Sequence, residues 1–388
     1  MEDWRNGGFG LYIHWPFCVS KCPYCDFNSH VAARIDQRRW QDAYLREIDR
    51  IGAETRGRRL DTVFFGGGTP SLMAPQVVAA ILERVRRTWP LANDLEVTLE
   101  ANPGTVEAAR FRGFREAGVN RISIGIQALD DESLRLLGRL HSAGEGRRAI
   151  GIAQDLFERV SFDLIYARQN QSAEDWQAEL RAALAIGTDH LSLYQLTIED
   201  GTAFGDRFAR GRLPGLPTET VSAEMYEITQ EICDAAGLPA YEISNHARPG
   251  AESRHNIIYW NGGDYAGVGP GAHGRLTLDG ARWATETLRA PGAWLEAVEQ
   301  RGNGETPREA VPADAQGYEY LMMGLRRDTG VSMARLAAIL GVVPDLPRLA
   351  GLEELDLLQR EGDSLRATRH GRMVLNSLLA ELLTDANF

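Results

Sequence analysis

Three of the chain's four cysteines fall inside one eight-residue stretch, CVSKCPYC, as Cys18, Cys22 and Cys25. Eight residues reach at most roughly 26–29 Å when fully extended, so three thiols this close in sequence can converge on one centre. Thiolates favour zinc and iron–sulfur clusters. A structural zinc site uses four ligands, usually as two separated pairs. CxxxCxxC supplies three, with no second pair and no evident fourth ligand nearby. Three thiolates on three irons of a 4Fe–4S cube would instead leave the fourth iron open to a further ligand.

The elements that must position such a centre are legible in the hydrophobic pattern. From residue 10 to about 200 a short β-rich apolar run, a turn rich in Gly, Pro or Asn, and a stretch of helical period repeat in that order. The predicted strands are GLYIHW (10–15), DTVFF (61–65), LEVTLE (95–100), RISIGI (121–126), VSFDLIY (160–166) and HLSLYQL (190–196). Helices are predicted around 36–54, 74–88, 105–117, 131–139, 143–156 and 172–186. This alternation predicts an α/β fold with a parallel sheet and crossover helices. The unusual motifs fall at or near the C-terminal ends of strands, where parallel barrels carry their active sites. The cysteines follow the first strand and GGGTP (66–70) the second; Glu100 with ANPG ends the third, and Gln127 the fourth. Asp163 lies within the fifth, and Gln195 is near the end of the sixth. Six units rather than eight predict an open, incomplete (β/α)6 barrel.

Beyond about residue 215 the pattern changes to a long helix through EMYEITQEICDAAG, a short strand PAYEIS, and the glycine-rich HNIIYWNGGDYAGVGPGAHG. RGNGETPREAVP (301–312) is polar and loop-like and marks a boundary. The GD between two β-capable runs in LLQREGDSLRATRHGRMVL predicts a hairpin. The expected organisation is a partial barrel over 1–215, a barrel extension over 216–305 and a smaller C-terminal helical and winged domain over 306–388.

Composition removes several classes of function. Net charge is −12 with no basic block or stripe, so a nucleic-acid partner is not expected. No leader-like segment and no apolar run of membrane-spanning length is present, which predicts a cytoplasmic protein without an integral membrane segment. With Cys233 alone outside the cluster, no disulfide framework can be built. The single lysine, Lys21, lies between two of the clustered cysteines.

The CxxxCxxC spacing after the first strand resembles the radical S-adenosylmethionine (SAM) superfamily, and the resemblance implies that the open iron chelates the amino and carboxylate groups of SAM. A tight turn would account for GGGTP on its own; beside the cysteines it resembles the motif that grips the methionine end of SAM, at Gly67, Gly68 and Thr69. The likeness extends to HemN-type coproporphyrinogen III dehydrogenases and their HemW-type relatives. It covers nearly the whole chain, through YIHWPFCVSKCPYCDFNSH, GGGTPS, LEANPG, RISIGIQ, LGRLH and DLIY. Tyr12, Glu100, Gln127, Arg139 and Asp163 match positions that contact SAM in that family, and Tyr24, the aromatic neighbour of the cysteines, joins the cofactor-binding set. Taken singly, Glu100 and Asp163 would equally suit capping or buried pairing, and Arg139 a solvated helix. After DLIY the family usually continues with glycine, whereas this chain reads ARQNQS, a departure at Ala167 and Arg168.

The resemblance implies one of two activities: radical decarboxylation of coproporphyrinogen III to protoporphyrinogen IX, or a haem chaperone that keeps the cluster. HemN-type enzymes carry a further cysteine two positions after the third ligand, where this chain has Phe27, and a longer segment before the cluster than the seventeen residues ahead of Cys18. HNIIYW (255–260) resembles the HNxxYW motif of HemW-type chaperones. All three features point to the chaperone. The resemblance then implies His255 as haem ligand, with Asn256, Tyr259 and Trp260 shaping the site and His246 or His273 as a second ligand. It also implies haem-accepting respiratory proteins as partners and peripheral membrane contact through them, and it leaves a homodimer as an open option.

Overall fold

The computed structural model describes residues 2–32, 34–344, 346 and 348–383. The six apolar runs form β1 (Phe9–Trp15), β2 (Leu60–Gly67), β3 (Leu91–Ala101), β4 (Arg121–Gln127), β5 (Arg159–Tyr166) and β6 (His190–Gln195). Each pairs in parallel with the next. Crossover helices Gln37–Glu54, Pro75–Thr88, Ala108–Ala117, Ala143–Leu156 and Ala173–Leu184 connect them. Capping boxes at Ser142 with Glu145 and Ser172 with Asp175 fix where two of these helices begin.

Side chains alternate across a strand, and the six strands alternate in step. One face carries Leu11, Ile13, Val63, Phe65, Leu99, Ile122, Ile124, Phe162, Leu191 and Leu193, all in the main apolar core. The other face carries Tyr12, His14, Thr62, Glu96, Glu100, Arg121, Ser123, Ser161 and Asp163. On that face Arg121 donates to Ser161 Oγ at 3.0 Å, and Ser161 and Ser123 Oγ atoms lie 3.0 Å apart. The barrel interior is therefore polar, and the apolar core lies between sheet and helices.

Five more strands extend the sheet without closing it. β7 (Asn245–Ala247) runs antiparallel to β6, and β8 (Asp264–Val268) pairs in parallel with the free side of β1. β9 (His273–Leu278), β10 (Ala281–Glu286) and β11 (Glu309–Ala310) follow antiparallel. The eleven-stranded sheet has β11 and β7 as its edges. This is the open, incomplete (β/α)6 barrel expected from the six repeats. The strand expected at PAYEIS falls instead on the next residues, as β7. The buried Glu242 carboxylate accepts from Ser244 N at 3.1 Å, Asn245 Nδ2 at 2.9 Å and Arg326 at 2.7 Å, which folds 241–244 into a turn.

The C-terminal residues build a second apolar core around Leu321, Leu325, Leu336, Leu365 and Leu378. Here β12 (Val331–Ser332), β13 (Leu358–Glu361) and β14 (Ser364–Ala367) form a small sheet, and β13 and β14 are the hairpin predicted at GD. The Asp3–Arg335 pair at 2.8 Å and the Arg326–Glu242 pair tie this unit to the barrel. Among the described residues no helix is long and apolar enough to cross a membrane.

Asp264 joins the extension to the barrel. Its fully buried carboxylate accepts from Arg58 at 2.7 Å, Arg282 at 3.2 Å and Thr277 Oγ1 at 3.0 Å. Removing one member of a buried ion pair leaves uncompensated charge, so Asp264→Ala is expected to lose roughly 3–5 kcal/mol of stability. Urea unfolding of the two proteins measures it, and a loss below about 1 kcal/mol would show that the arginines find water or another acceptor.

Candidate functional site

Beyond β1 the chain is pinned at both ends of a loop. Phe17–Cys18 pairs in parallel with His30–Val31, and His30 N donates to Pro16 O at 2.7 Å. Inside the loop Cys25 N donates to Cys22 O at 3.1 Å, and Phe204 N reaches Pro23 O at 2.8 Å from the far side. The result is one cavity at the C-terminal ends of the strands. Cys18, Cys22, Cys25 and Tyr24 line it together with Gly67, Gly68, Thr69, Glu100, Gln127, Arg139 and Asp163.

Each thiol has a polar neighbour. Thr69 Oγ1 donates to Cys18 Sγ at 3.5 Å, Arg139 donates to Cys22 Sγ at 3.3 Å, and Ser29 Oγ lies 4.0 Å from Cys25 Sγ. Burial, and then the neighbouring thiols, push the Cys18 and Cys25 pKa values up, so metal binding must displace their protons. The three thiols line one cavity, each with a hydroxyl or guanidinium beside it. A 4Fe–4S cube holds its three thiolates on three different irons, whereas one zinc ion requires them to meet at a point. The donor set fits the cluster.

The remaining lining suits a small zwitterion. Gly68 fits because a Cβ there would lie 2.7 Å from Phe17 O and 3.0 Å from Cys18 Sγ, so glycine lets the main chain approach the cysteine loop. Gly67 N donates to Glu100 Oε2 at 3.2 Å, and Ser123 Oγ to Asp163 Oδ1 at 3.3 Å. Burial, reinforced by Asp163, pushes Glu100 up to about 8, and burial pushes Asp163 up to about 6. Gln127 Oε1 and Arg139 Nε are buried without a partner. Such orphaned groups beside two reluctant carboxyls mark a place where a ligand completes the bonding. A sulfonium with an ammonium and a carboxylate would supply the missing cation, donors and acceptor.

Tyr12 lies one layer below this cavity. Its hydroxyl is 3.0 Å from His14 Nδ1, and its ring stacks on Phe64 and His255 with centroids 6.2 and 6.4 Å away. His14 Nε2 is 3.0 Å from Asn28 O, just after the third cysteine. His14, Arg121 and Ser123 are polar residues of the site that motif matching passes over. The period-two alternation that places them on the face of Glu100 was the signal for them. Arg168, from the divergent ARQNQS, is buried with Glu179 at 2.6 Å and reaches back to Gln127 O at 3.5 Å. It supports the cavity wall from outside.

HNIIYW lies at the opposite end of the strands. Helix Arg254–Trp260 closes the barrel's lower mouth and sends His255 inside. There His255 Nδ1 is 2.6 Å from Thr62 Oγ1, Nε2 is bonded to Tyr259 Oη, and Phe64 stacks at 5.1 Å. His255 is 1% exposed, and burial lowers its pKa to about 3. In this geometry neither ring nitrogen is offered to haem iron, because the helix that carries the motif is the barrel's plug. Trp260 packs with Tyr241 and Met323, Tyr259 borders a cavity with Met322 and Met323, and Asn256 is half-buried. His246 is buried against Gln230 at 3.3 Å. His273 is 62% exposed, with Glu286 3.8 Å away.

The profile of the Radical SAM superfamily matches residues 12–183, and that of the HemN C-terminal domain residues 311–374. The heme chaperone HemW of Escherichia coli (strain K12) is 39% identical over 97% of this chain and 98% of its own length. Radical S-adenosyl methionine domain-containing protein 1, mitochondrial, of Bos taurus is 40% identical over 96% of this chain and 87% of its own. Heme chaperone HemW of Mycobacterium tuberculosis (strain ATCC 25618 / H37Rv) is 36% identical over 97% and 95%. Among solved structures, coproporphyrinogen III oxidase (HemN) from Escherichia coli superposes with a TM-score of 0.81 at 20% identity, over 97% of this chain and 90% of that one. At that identity the likeness is one of fold.

Two outcomes follow from the cavity. Gly68→Ala is expected to fold yet fail to assemble a cluster under anaerobic reconstitution; iron and sulfide content equal to wild type would contradict the close-approach argument. The carboxyls set a pH dependence. Folded Glu100 and Asp163 keep their protons to about 8 and about 6, against ordinary values of 4.5 and 3.8. The folded state binds more protons across that window, so the stability these groups contribute is complete below the ordinary values and is lost as pH rises towards 8. In the cluster-free protein Glu100→Gln should flatten the fall in unfolding free energy between pH 5 and 8; identical slopes would remove Glu100 as its source.

Proposed function

The chain belongs to the radical SAM superfamily, in the HemN-like branch that includes the HemW-type proteins, and from that premise we propose that it is a haem chaperone. It binds haem and passes it to haem-accepting respiratory proteins, while holding a SAM-binding 4Fe–4S cluster on Cys18, Cys22 and Cys25. The observation that carries the reading is Phe27. Where a HemN-type dehydrogenase has a further cysteine, this chain puts an aromatic ring that is 60% exposed at the rim of the cavity. Near-full-length identity to proteins named heme chaperone HemW supports the same reading.

The chain's own residues divide the work. Glu100 and Asp163 receive the cationic end of SAM, Gln127 and Arg139 complete its polar contacts, and Arg139 balances the Cys22 thiolate. A bound cluster supplies a redox-active iron with an open coordination site. Haem docks outside this cavity, its apolar faces against exposed side chains such as Phe27, Val19 and Val31. Among the three histidines considered, His273 alone is exposed, and it is the one open to an axial role. Residues 1–215 carry cluster and SAM, 216–305 extend the barrel, and 306–388 serve acceptor docking or haem enclosure. The protein works in the cytoplasm and meets the membrane through its acceptors.

An anaerobic haemin titration followed by the Soret band tests this together with SAM-dependent turnover of coproporphyrinogen III. Saturable haem binding without protoporphyrinogen formation is expected; turnover without haem binding would overturn the proposal in favour of the dehydrogenase. Cys22→Ala should lose the cluster yet keep its haem affinity within about threefold, whereas His273→Ala should weaken haem at least about tenfold.

A further inference from the structure

We infer that His255 is a positioning residue for the cysteine loop: it is the central member of a bonded and stacked column through the barrel, not an axial ligand of haem. The inference deepens the haem-chaperone reading and rests on it only where haem affinity is the readout.

The column can be followed atom by atom. Asn28 O, three residues beyond Cys25, is a carbonyl and can only accept, so His14 Nε2 donates to it across 3.0 Å. Burial lowers the His14 pKa and keeps the ring neutral. Its Nδ1 is then bare and accepts from the Tyr12 hydroxyl at 3.0 Å. A fixed tautomer thus links the loop to Tyr12. The Tyr12 ring, with Phe64, stacks on His255 at interplanar angles of 29° and 23°. The imidazole is held by Thr62 on one nitrogen and Tyr259 on the other, while its main-chain N–H donates to Glu96 Oε1 at 3.2 Å.

The sequence leaves room for this ring. Gly10 faces it from β1, and a Cβ there would come within 3.1 Å of the imidazole and 2.9 Å of Thr62 Oγ1. Below, the Tyr259 ring meets Tyr265 edge-on at 4.3 Å, and Trp260 packs against Met323 of helix Ala313–Gly324. The column therefore runs from the loop that carries the cysteines to the C-terminal domain. A ring used at both nitrogens and on its face has no valence left for iron unless the plug helix leaves the barrel.

Two variants are compared in the full-length protein: His255→Ala and Tyr12→Phe. Tyr12→Phe keeps the stack and removes only the hydroxyl that reaches His14. The readouts are the rate at which a reconstituted cluster loses iron to a chelator, haem affinity from the Soret titration, and thermal unfolding without the cluster. Both His255→Ala and Tyr12→Phe should accelerate iron loss by about tenfold or more, with haem affinity within about threefold of wild type. Tyr12→Phe, which leaves packing intact, should do so with little change in unfolding. Iron loss at the wild-type rate in Tyr12→Phe would overturn the column. Loss of haem binding in His255→Ala but not in Tyr12→Phe would restore His255 as ligand. If wild type binds no haem, the chaperone reading fails, and the iron-loss comparison still decides the column.

Discussion

Two main-chain hydrogen bonds beyond the end of β1 set the geometry of the site: Gly68 N to Trp15 O at 2.7 Å and Thr69 N to Phe17 O at 2.8 Å. They continue the parallel register of β1 and β2, which opposes Trp15 to Gly67, past the point where ordinary strands would diverge. The glycine turn and the cysteine loop are thereby laid side by side. The third strand is then placed by β2, the fourth by β3, and so on, so the carboxyls of β3 and β5 reach the cavity by register and not by any direct bond to the cysteines. A parallel sheet is suited to this, since all its C-terminal ends lie on one rim.

The polar interior follows from the same alternation. A closed barrel of eight strands fills its centre with branched apolar side chains; here the sheet stays open, and the inward positions are serine, threonine, histidine, glutamate, aspartate and arginine. Burying them is tolerable because they satisfy one another in layers, Arg121 with Ser161 and His255 with Thr62. At the upper layer Gln127 Oε1 and Arg139 Nε lack partners and Glu100 holds its proton to about 8. Glu96 Oε2 and Thr98 Oγ1 also lack partners lower in the barrel, but only the upper-layer groups line the cavity, so that is where a ligand finishes the bonding.

Local sequence carried much of the fold. The six strands and their helices are visible because apolar period, turn residues and caps agree over each segment. The hairpin at GD was readable for the same reason. PAYEIS misled because its apolar alternation is that of a strand, while Glu242 is claimed by Arg326, a partner 84 residues away that no local pattern announces. The cysteines, GGGTP, Glu100 and Gln127 could be gathered because each sits at a strand end; Arg139, beyond a short helix, and Asp163, inside its strand, were reached through the family resemblance. Tyr12 could not be placed in depth, since the motif gives its neighbours in sequence and not which layer of the barrel its ring occupies.

His255 is the sharper case. A histidine followed by aromatics has the composition of a haem contact and equally of a plug that fills a polar barrel from below; composition alone does not separate the two. What separates them is the contact 193 residues away with Thr62 and the glycine at position 10 that clears space for the ring. Both lie on strands whose inward face had already been spent on polar residues. A ring entering that face finds hydroxyls before it finds solvent, and an imidazole saturated by hydroxyls in a dry interior is fixed as a neutral structural group. The separation of SAM end from plug end then has a physical origin: one end of the polar face opens into the cysteine-lined cavity, and the other is closed by the helix that carries His255.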